Sequence, residues 1–314
     1  MAMLSVIVPA FNEQAGLAVT FKTLEQALAP IAMPFEILFV DDGSRDETWD
    51  IIRSLVPVDP KNRVRGVHFS RNFGKEAAIF AGLEAADGDC VVVMDADLQH
   101  PPEKIVEMVE LWRQGYEVIE GKKEDRGEET GLHRGFSHLF YKLISRFSGM
   151  NMADSSDFKL LDRKVVDALN RMPERNTFFR ALSFWTGYRR ATVTYRVQER
   201  QYGESKWSTF SLIRYAVRNI ASFSVLPMQL VTFMGGILFV VASLMSIIAL
   251  VQKFCGKALG GFTTVIILVM FSSSIIMFSL GIIGFYIAQI YEEVKNRPRY
   301  LIAERYNSAN PEDK

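Results

Sequence analysis

Along the first 125 residues, short apolar runs typical of β-strands alternate with segments that have helical periodicity. Five short runs rich in valine, isoleucine and phenylalanine have the length of β-strands: Leu4–Pro9, Phe35–Val40, Val64–Phe69, Cys90–Met94 and Glu117–Gly121. Between the first two runs, four apolar residues recur at helical spacing: Leu17, Phe21, Leu24 and Leu28. A second helix is expected after Pro101-Pro102, since proline is tolerated in a first turn. This alternation predicts an α/β domain with a mostly parallel sheet covered on both faces.

Two long stretches without charge dominate the last third of the chain. No charged residue lies between Arg218 and Lys253 or between Lys257 and Glu292, and each gap holds 34 residues. A helix of about 20 apolar residues suffices to cross a bilayer. We therefore predict a hairpin of two transmembrane helices, at about residues 228–251 and 262–289. The alternative is two buried helices of a soluble bundle, but nothing else in the chain would cover two faces that are apolar all round.

Basic residues are distributed unevenly around this hairpin. Two lie in its loop, Lys253 and Lys257, whereas eight flank it: Arg200, Lys206, Arg214, Arg218, Lys295, Arg297, Arg299 and Arg305. Because loops rich in lysine and arginine stay in the cytoplasm, both termini are expected there. Residues 207–226 carry aromatic and basic side chains typical of an amphipathic segment in the headgroup layer. Residues 1–11 have no basic start, so no signal peptide is expected.

Overall composition narrows the class of protein. Lysine plus arginine and aspartate plus glutamate both number 36, so no global basic field favours nucleic acid. Two cysteines, Cys90 and Cys255, are too few for a disulfide framework. With 49% hydrophobic and 23% charged residues, the chain is neither disordered nor of low complexity.

Polar side chains follow every predicted strand. In a parallel sheet, ligands collect where the carboxyl ends of the strands meet. Five segments should therefore share one rim: Ala10–Glu13, Asp41–Ser44, Ser70–Lys75, Asp95–Gln99 and Lys122–Arg126. Each alone could be an ordinary turn or helix cap. Together they gather carboxylates beside cations, which is the mixture needed to hold a metal ion and phosphates.

The sharpest candidate for chemistry is the pair Asp95 and Asp97. Two carboxylates at positions i and i+2, with the amide oxygen of Gln99, form an incomplete set of oxygen ligands that suits Mg²⁺ or Mn²⁺. The chain has neither a P-loop nor a Gly-x-Gly-x-x-Gly turn. We therefore expect a nucleotide-sugar donor, whose leaving diphosphate the metal would neutralise.

Several motifs resemble those of known enzymes. VIVPAFNE (Val6–Glu13), DDGSRDET (Asp41–Thr48), SRNFGKEAA (Ser70–Ala78) and DADLQHPPE (Asp95–Glu103) resemble inverting family-2 glycosyltransferases of the GT-A fold. Three later motifs are similar to polyprenyl-phosphate glycosyltransferases, the group of dolichyl-phosphate mannose synthase and bacterial bactoprenol glucosyltransferases: DFKLLDRKVV (Asp157–Val166), ERQYGESKWS (Glu199–Ser208) and EEVKNRPRY (Glu292–Tyr300). The bactoprenol branch is the more similar, and the resemblance covers essentially the whole chain.

The resemblance implies an organisation and an activity. It implies a cytoplasmic GT-A domain at 1–206, an interfacial segment at 207–226, two transmembrane helices within 227–291 and a cytoplasmic tail at 292–314. It further implies transfer of a hexose, with UDP-glucose favoured as donor, to undecaprenyl or another polyprenyl phosphate at the bacterial inner membrane, with inversion. Mannose, N-acetylglucosamine, galactose and an amino-arabinose derivative stay open, and a homotetramer is plausible for such an enzyme.

Roles for individual residues also come from the resemblance. Nucleoside binding is implied for Pro9, Phe11, Glu13 and Asp42, and metal and diphosphate binding for Asp95, Ala96, Asp97 and Gln99. Binding of the phosphates of donor or acceptor is implied for Arg126, Arg200, Ser205 and Lys206. Asp157 is implied to be catalytic, together with Asp97. Departures from the family pattern occur at His100, at Ser155-Ser156 and at Lys159, where arginine is more common.

The chemistry of the acceptor limits the expected role of Asp157. A phosphate monoester is largely dianionic at pH 7, so the acceptor needs no strong base, and we expect Asp157 to orient groups instead. Two other functions stay open. A processive polysaccharide synthase would need more membrane helices and a Gln-x-x-Arg-Trp motif, which the chain lacks. An inactive nucleotide-sugar binder would not need intact Asp95, Asp97, Gln99 and Asp157.

Overall fold

The computed structural model describes residues 2–124, 156–174, 178–196, 226–255 and 261–309. They fall into two compact units, which are treated separately. The first comprises Met1–Ser208 together with Arg297–Lys314, and the second comprises Thr209–Asn296.

In the part of the first unit that the structure describes, eight strands form one sheet. Its strands are β1 (Leu4–Ala10), β2 (Phe35–Asp41), β3 (Arg63–Phe69), β4 (Cys90–Val93), β5 (Val118–Lys123), β6 (Lys159–Asp162), β7 (Arg190–Tyr195) and β8 (Ile302–Asn307). They lie in the order β7-β5-β6-β4-β1-β2-β3-β8. The strands β4, β1, β2 and β3 are mutually parallel, as are β5 and β7. The mostly parallel α/β sheet is therefore confirmed, and all five predicted strands are present to within two residues at each end.

Three strands were not predicted from the sequence. β6 runs antiparallel between β4 and β5, and β8 runs antiparallel along the outer edge of β3. β7 extends the opposite edge, parallel to β5. These strands contain few consecutive apolar residues, so the search for apolar runs did not reveal them.

The described residues of the first unit contain six helices between its strands: α1 (Leu17–Leu28), α2 (Thr48–Ser54), α3 (Lys75–Ala85), α4 (Lys104–Arg113), α5 (Arg163–Asn170) and α6 (Phe179–Trp185). The apolar stripe predicted for α1 is buried along its whole length, at Leu17, Phe21, Leu24 and Leu28. Burying each such side chain contributes about 1.5–3 kcal/mol, which is enough to hold the helix on the sheet. α4 begins two residues after Pro102, as expected for proline at a helix start.

The last part of the first unit closes the edge of the sheet. β8 pairs with β3, and the Tyr300 ring that precedes it stacks on Phe69 at 4.9 Å between centroids. The Trp49 indole donates to Glu304 Oε2 at 2.8 Å. The segment that follows the apolar helices thus completes the same sheet that the first residues of the chain begin.

Two long helices make up the described part of the second unit. They are α7 (Leu226–Phe254) and α8 (Phe262–Val294), and they contact each other. Within α8, Leu268–Val294 is long and apolar enough to cross a membrane, with a mean hydropathy of 2.1. The comparable apolar stretch in α7, Val231–Met245, is shorter. Among the described residues there is accordingly one candidate span, and the two-helix membrane hairpin stays a prediction.

Candidate active site

Four of the five segments predicted to share one rim lie together because of the strand order, whereas the fifth, Lys122–Arg126, lies partly outside the described residues. β4, β1, β2 and β3 are neighbours and parallel, so the loops that follow them lie side by side. Pro9 lies near the end of β1, and the predicted site residues that follow the four strands are Phe11, Glu13, Asp42, Asp95, Ala96, Asp97 and Gln99. The structure therefore brings together the residues predicted for nucleoside and metal binding.

Hydrogen bonds join the loop after β1 to the loop after β2. The Asn12 backbone N–H donates to Ser44 Oγ at 2.9 Å, and the Arg45 N–H donates to Asn12 Oδ1 at 2.9 Å. Asn12 has φ 55°, a left-handed conformation that asparagine adopts more readily than most residues. The Glu13 N–H donates to Thr48 Oγ1 at 2.9 Å. Consequently Phe11 and Glu13 are held against the segment that contains Asp42.

Asp42 anchors the next loop along the rim. Its carboxylate is buried and accepts hydrogen bonds from the Phe73 and Gly74 backbone N–H groups at 2.6 and 2.9 Å. Burial raises the pKa of Asp42, although the two backbone hydrogen bonds oppose that shift. At Gly43, with φ +66°, a Cβ would lie 2.3 Å from the Arg71 carbonyl carbon, so only glycine permits this approach. The predicted contact of Asp42 with a nucleoside stays a prediction; what is observed is that Asp42 positions the residues before Lys75.

The Asp95–Gln99 turn presents its polar side chains on one side. Asp95, Asp97 and Gln99 are half-buried, whereas Ala96, Leu98 and His100 are buried. Leu98 has φ 57°, which costs a leucine about 1–2 kcal/mol. Burial of its side chain, about 1.5–3 kcal/mol, offsets this. Thr20 Oγ1 also donates to the Ala96 carbonyl at 2.7 Å, and the Gln99 N–H donates to Asp97 Oδ1 at 3.1 Å.

The donors on this turn fit a divalent cation that is only partly bound by protein. Within the described residues, no group of three or more histidine, cysteine, aspartate or glutamate side chains is placed to hold a metal ion. The rim offers the carboxylates of Asp95 and Asp97 and the amide oxygen of Gln99. Mg²⁺ and Mn²⁺ in phosphate-binding sites use one or two carboxylates, with waters and substrate phosphates as the other ligands. The donor set suits such an ion and does not suit a cation enclosed by protein.

Asp157 lies in a cluster of charges beside this turn. Its side chain is 7% exposed. Arg180 donates two hydrogen bonds to the Asp157 carboxylate, from Nε to Oδ1 at 2.7 Å and from Nη2 to Oδ2 at 2.8 Å. Lys75 Nζ donates to Asp157 Oδ2 at 2.8 Å and lies 2.6 Å from Asp95 Oδ1. Lys75, the first residue of α3, thus connects the predicted metal site to the predicted catalytic carboxylate.

The charge of Asp157 is set by these cations. Burial acts to raise the pKa of Asp157, but Arg180 and Lys75 overcome it and hold the pKa well below its ordinary value. Glu76, the neighbour of Lys75, behaves oppositely: burial and the Asp157 charge raise its pKa to about 7. Glu76 Oε2 also accepts the Phe179 backbone N–H at 2.9 Å, at the start of the helix that carries Arg180.

Two departures from the family pattern have structural explanations. Lys159, where arginine is common, is buried and reaches Glu120 Oε1 and Ser183 Oγ at 2.9 Å each, so a point charge suffices there. Burial lowers the pKa of Lys159, an effect that Glu120 opposes. His100 is buried and stacks on Phe158 at 5.1 Å, and burial lowers its pKa.

Sequence reasoning missed Arg180, and it assigned no role to Lys75 or Glu76. Arg180 is 23 residues from Asp157, in a short helix without a recognisable motif, so no local pattern pairs the two. Lys75 was part of a noted rim segment, and its adjacency to carboxylate-rich loops was the signal that could have singled it out. Four predicted phosphate-binding residues lie outside the described residues: Arg126, Arg200, Ser205 and Lys206.

Comparison with known proteins identifies the class. The model of "Glycosyl transferase family 2" matches residues 5–169, which contain the rim loops and Asp157. The chain belongs to this family of glycosyltransferases. It is 37% identical to the SfII prophage-derived bactoprenol glucosyl transferase of Shigella flexneri over 98% of this chain and 99% of that protein. It is also 37% identical to an uncharacterised glycosyltransferase of Bacillus subtilis, over 98% of this chain and 95% of that one.

Similarity to solved structures is more distant. The Mycobacterium tuberculosis glucosyl-3-phosphoglycerate synthase, solved with Mn²⁺ and UDP-glucose, is 17% identical and superposes with a TM-score of 0.46. The alignment covers 70% of this chain and 77% of that one. At this level the likeness carries no argument about ligands.

The charge cluster yields a prediction about stability. Arg180→Met should lower the free energy of unfolding by about 2–3 kcal/mol, less than the roughly 3–5 kcal/mol for breaking an isolated buried pair, because Lys75 remains on Asp157. Asp157→Asn in the same chain should recover part of the loss, since no buried charge is then uncompensated. Thermal unfolding of the four proteins of this cycle measures the coupling.

Acid should diminish the difference in stability between the wild type and Arg180→Met. A carboxylate whose pKa is depressed in the folded state stabilises the fold above its unfolded pKa, and this stabilisation is lost as pH falls through the folded value. Arg180→Met moves the folded pKa of Asp157 towards its unfolded value, so the variant should lose less stability than the wild type as the pH falls, and the two should converge at low pH. If Arg180→Met and Asp157→Asn had additive effects on the free energy of unfolding, the pairing of Arg180 with Asp157 would be contradicted.

Proposed function

We propose that the protein transfers glucose from UDP-glucose to a polyprenyl phosphate, such as undecaprenyl phosphate, with inversion at the anomeric carbon. The observation that carries this is the 37% identity to a bactoprenol glucosyl transferase over nearly the full length of both chains. That similarity extends beyond the family domain, which ends at residue 169, through the two apolar helices and β8. The choice of glucose rests on this similarity.

In this proposal the rim holds the donor. Pro9, Phe11, Glu13 and Asp42 bind the nucleoside, and Asp95, Ala96, Asp97 and Gln99 face the diphosphate. Asp95, Asp97 and Gln99 would hold Mg²⁺ or Mn²⁺, which when bound stabilises the negative charge of the leaving diphosphate. The half-buried position of the two carboxylates supports this role, because it leaves room for substrate oxygens to complete the coordination.

Asp157 orders the cations beside the acceptor. A polyprenyl phosphate is already a nucleophile near neutral pH, so the site must mainly position two anions against each other. A carboxylate gripped by Arg180 and Lys75 is a poor proton acceptor, which supports a positioning role over that of a base. Arg126, Arg200, Ser205 and Lys206 stay predicted partners of the phosphates, and a homotetramer stays a prediction as well.

The second unit is proposed to anchor the enzyme in the bacterial inner membrane. α7 has 29 residues and α8 has 33, giving lengths of about 44 and 50 Å, and each exceeds the roughly 30 Å apolar core of a bilayer. Large apolar side chains on both helices are exposed, among them Phe233, Phe239, Met270 and Met277. The excess of flanking cations supports a hairpin with both termini and the catalytic unit in the cytoplasm.

Transfer can be tested directly with the purified full-length protein. Radiolabelled UDP-glucose and undecaprenyl phosphate should give a lipid-linked monosaccharide that partitions into organic solvent. EDTA should abolish transfer, with recovery on addition of Mg²⁺ or Mn²⁺. Asp97→Asn should also abolish it, because the substitution removes the charge that attracts the ion, whereas Asp50→Asn on the exposed face of α2 should not.

Other products would point to other functions. An insoluble polymer would indicate a processive synthase, and no transfer from any donor in a panel of UDP- and GDP-sugars would indicate an inactive binder. A lipid-linked sugar other than glucose would overturn the choice of donor but not the reaction. Full activity in saturating chelator would contradict the metal assignment.

The role of Asp157 predicts a particular pH profile. Asp157→Asn should lower kcat by about a hundredfold or more, since it disorders the cations that hold the acceptor, while affinity for UDP changes little. Because the wild-type residue takes no proton, raising the pH should not restore the rate. Rescue at high pH would instead identify a base, and near-normal turnover of the folded variant would make Asp157 purely structural.

Membrane topology has its own test. A reporter fused after Lys314 should be cytoplasmic, and a cysteine introduced at Gly256 in a variant that lacks Cys255 should react with an impermeant reagent from outside. A periplasmic reporter would require an odd number of crossings and would exclude the hairpin.

A further inference from the structure

Lys75 makes two ion pairs that belong to different parts of the proposed mechanism. Its ammonium lies 2.6 Å from Asp95 Oδ1, a proposed metal ligand, and 2.8 Å from Asp157 Oδ2. The loop before it is fixed, because Asp42 accepts the Phe73 and Gly74 N–H groups. The backbone of Lys75 is therefore held in place, while the ammonium at the end of its side chain reaches both carboxylates.

The two carboxylates hold Lys75 differently. Asp157 is 7% exposed and is gripped from its other side by Arg180, so its position is firmly determined. Asp95 is 29% exposed and Lys75 is 39% exposed. A lysine side chain is a flexible stem that ends in a point charge, and it can leave one partner while keeping another. Solvent can replace Lys75 at Asp95 far more easily than at Asp157.

A metal ion at Asp95 would compete with this ammonium. Asp95 and Asp157 carry two negative charges, and Lys75 and Arg180 form ion pairs with them. A divalent cation on Asp95 and Asp97 would bring two positive groups to the same carboxylate at a few ångströms, where like charges repel strongly. Since Lys75 already has a second partner, the repulsion can be relieved by moving the ammonium towards Asp157.

We propose that Lys75 is a movable counter-ion: it neutralises Asp95 while the metal site is empty, and it transfers wholly to Asp157 when a divalent cation binds. This inference rests on the proposed function, because it requires the cation at Asp95. Lys75 then opposes binding of the bare cation, so the ion binds well only together with the diphosphate. Binding of the cation and donor at Asp95 thus also moves the Lys75 ammonium fully onto Asp157, beside the acceptor.

Binding of Mn²⁺ alone, without nucleotide, tests the competition. Free Mn²⁺ is measured by electron paramagnetic resonance in titrations of the full-length protein. Lys75→Met, which keeps the length of the side chain without its charge, should bind Mn²⁺ about tenfold more tightly than the wild type. Lys75→Arg keeps the charge and should stay near the wild-type affinity. Lys104→Met, which removes a charge from α4 that pairs with Glu107, should leave affinity unchanged.

The outcomes separate this inference from the proposed function. If the wild type binds Mn²⁺ through Asp97 but Lys75→Met binds it no more tightly, Lys75 does not compete and the inference is wrong. If neither protein binds Mn²⁺ with or without UDP, the metal site of the proposed function fails, and this inference fails with it.

A second measurement does not depend on the folding of a variant. In a structure of the wild type with Mn²⁺, Lys75 Nζ should lie beyond hydrogen-bonding distance of Asp95 and remain within it of Asp157. An ammonium still bound to Asp95 beside the ion would overturn the proposal.

Discussion

A carboxylate buried at the rim of a sheet must be compensated by cations, and Asp157 sets this requirement for the whole site. Leaving such a charge unpaired would cost several kcal/mol, so the fold must deliver positive groups to it. Arg180 comes from α6 and Lys75 from the start of α3, so the two cations approach Asp157 from different helices. The positions of these helices, of the Asp42-anchored loop and of the Asp95–Gln99 turn are thus linked through one negative charge.

Much of the fold followed from local pattern, and the reasons differ between elements. The strands β1, β2 and β4 are largely apolar runs buried on both faces, so their composition alone marks them. β3 is marked by buried Val64, Val67 and Phe69, and the stripe of α1 repeats at helical spacing. Parallel pairing then places their following loops together, which is why the rim could be predicted. β6 could not be predicted, because only Leu160 and Leu161 of its residues are apolar and because it pairs with strands that are distant in sequence.

The residues of the candidate site also differ in whether the sequence could predict their proximity. The donors Asp95, Asp97 and Gln99 lie within one turn, so their spacing in the sequence predicts their proximity. The pairing of Asp157 with Arg180 and Lys75 depends on how β6, α3 and α6 pack. The spacing of these residues in the sequence does not predict that packing. Arg180 and β7 also follow residue 169, where the match to the family model ends. The compensation of Asp157 therefore draws on chain beyond the part that defines the family.

The closure of the sheet by β8 has a consequence for biosynthesis. A ribosome produces β3 more than two hundred residues before it produces its outer neighbour, and the two long apolar helices emerge in between. Until the last strand arrives, β3 presents an unpaired edge, which is a template for association with other chains. The nascent protein must keep that edge protected throughout the synthesis of α7 and α8. Completion of the sheet is thereby postponed until both long helices have been synthesised.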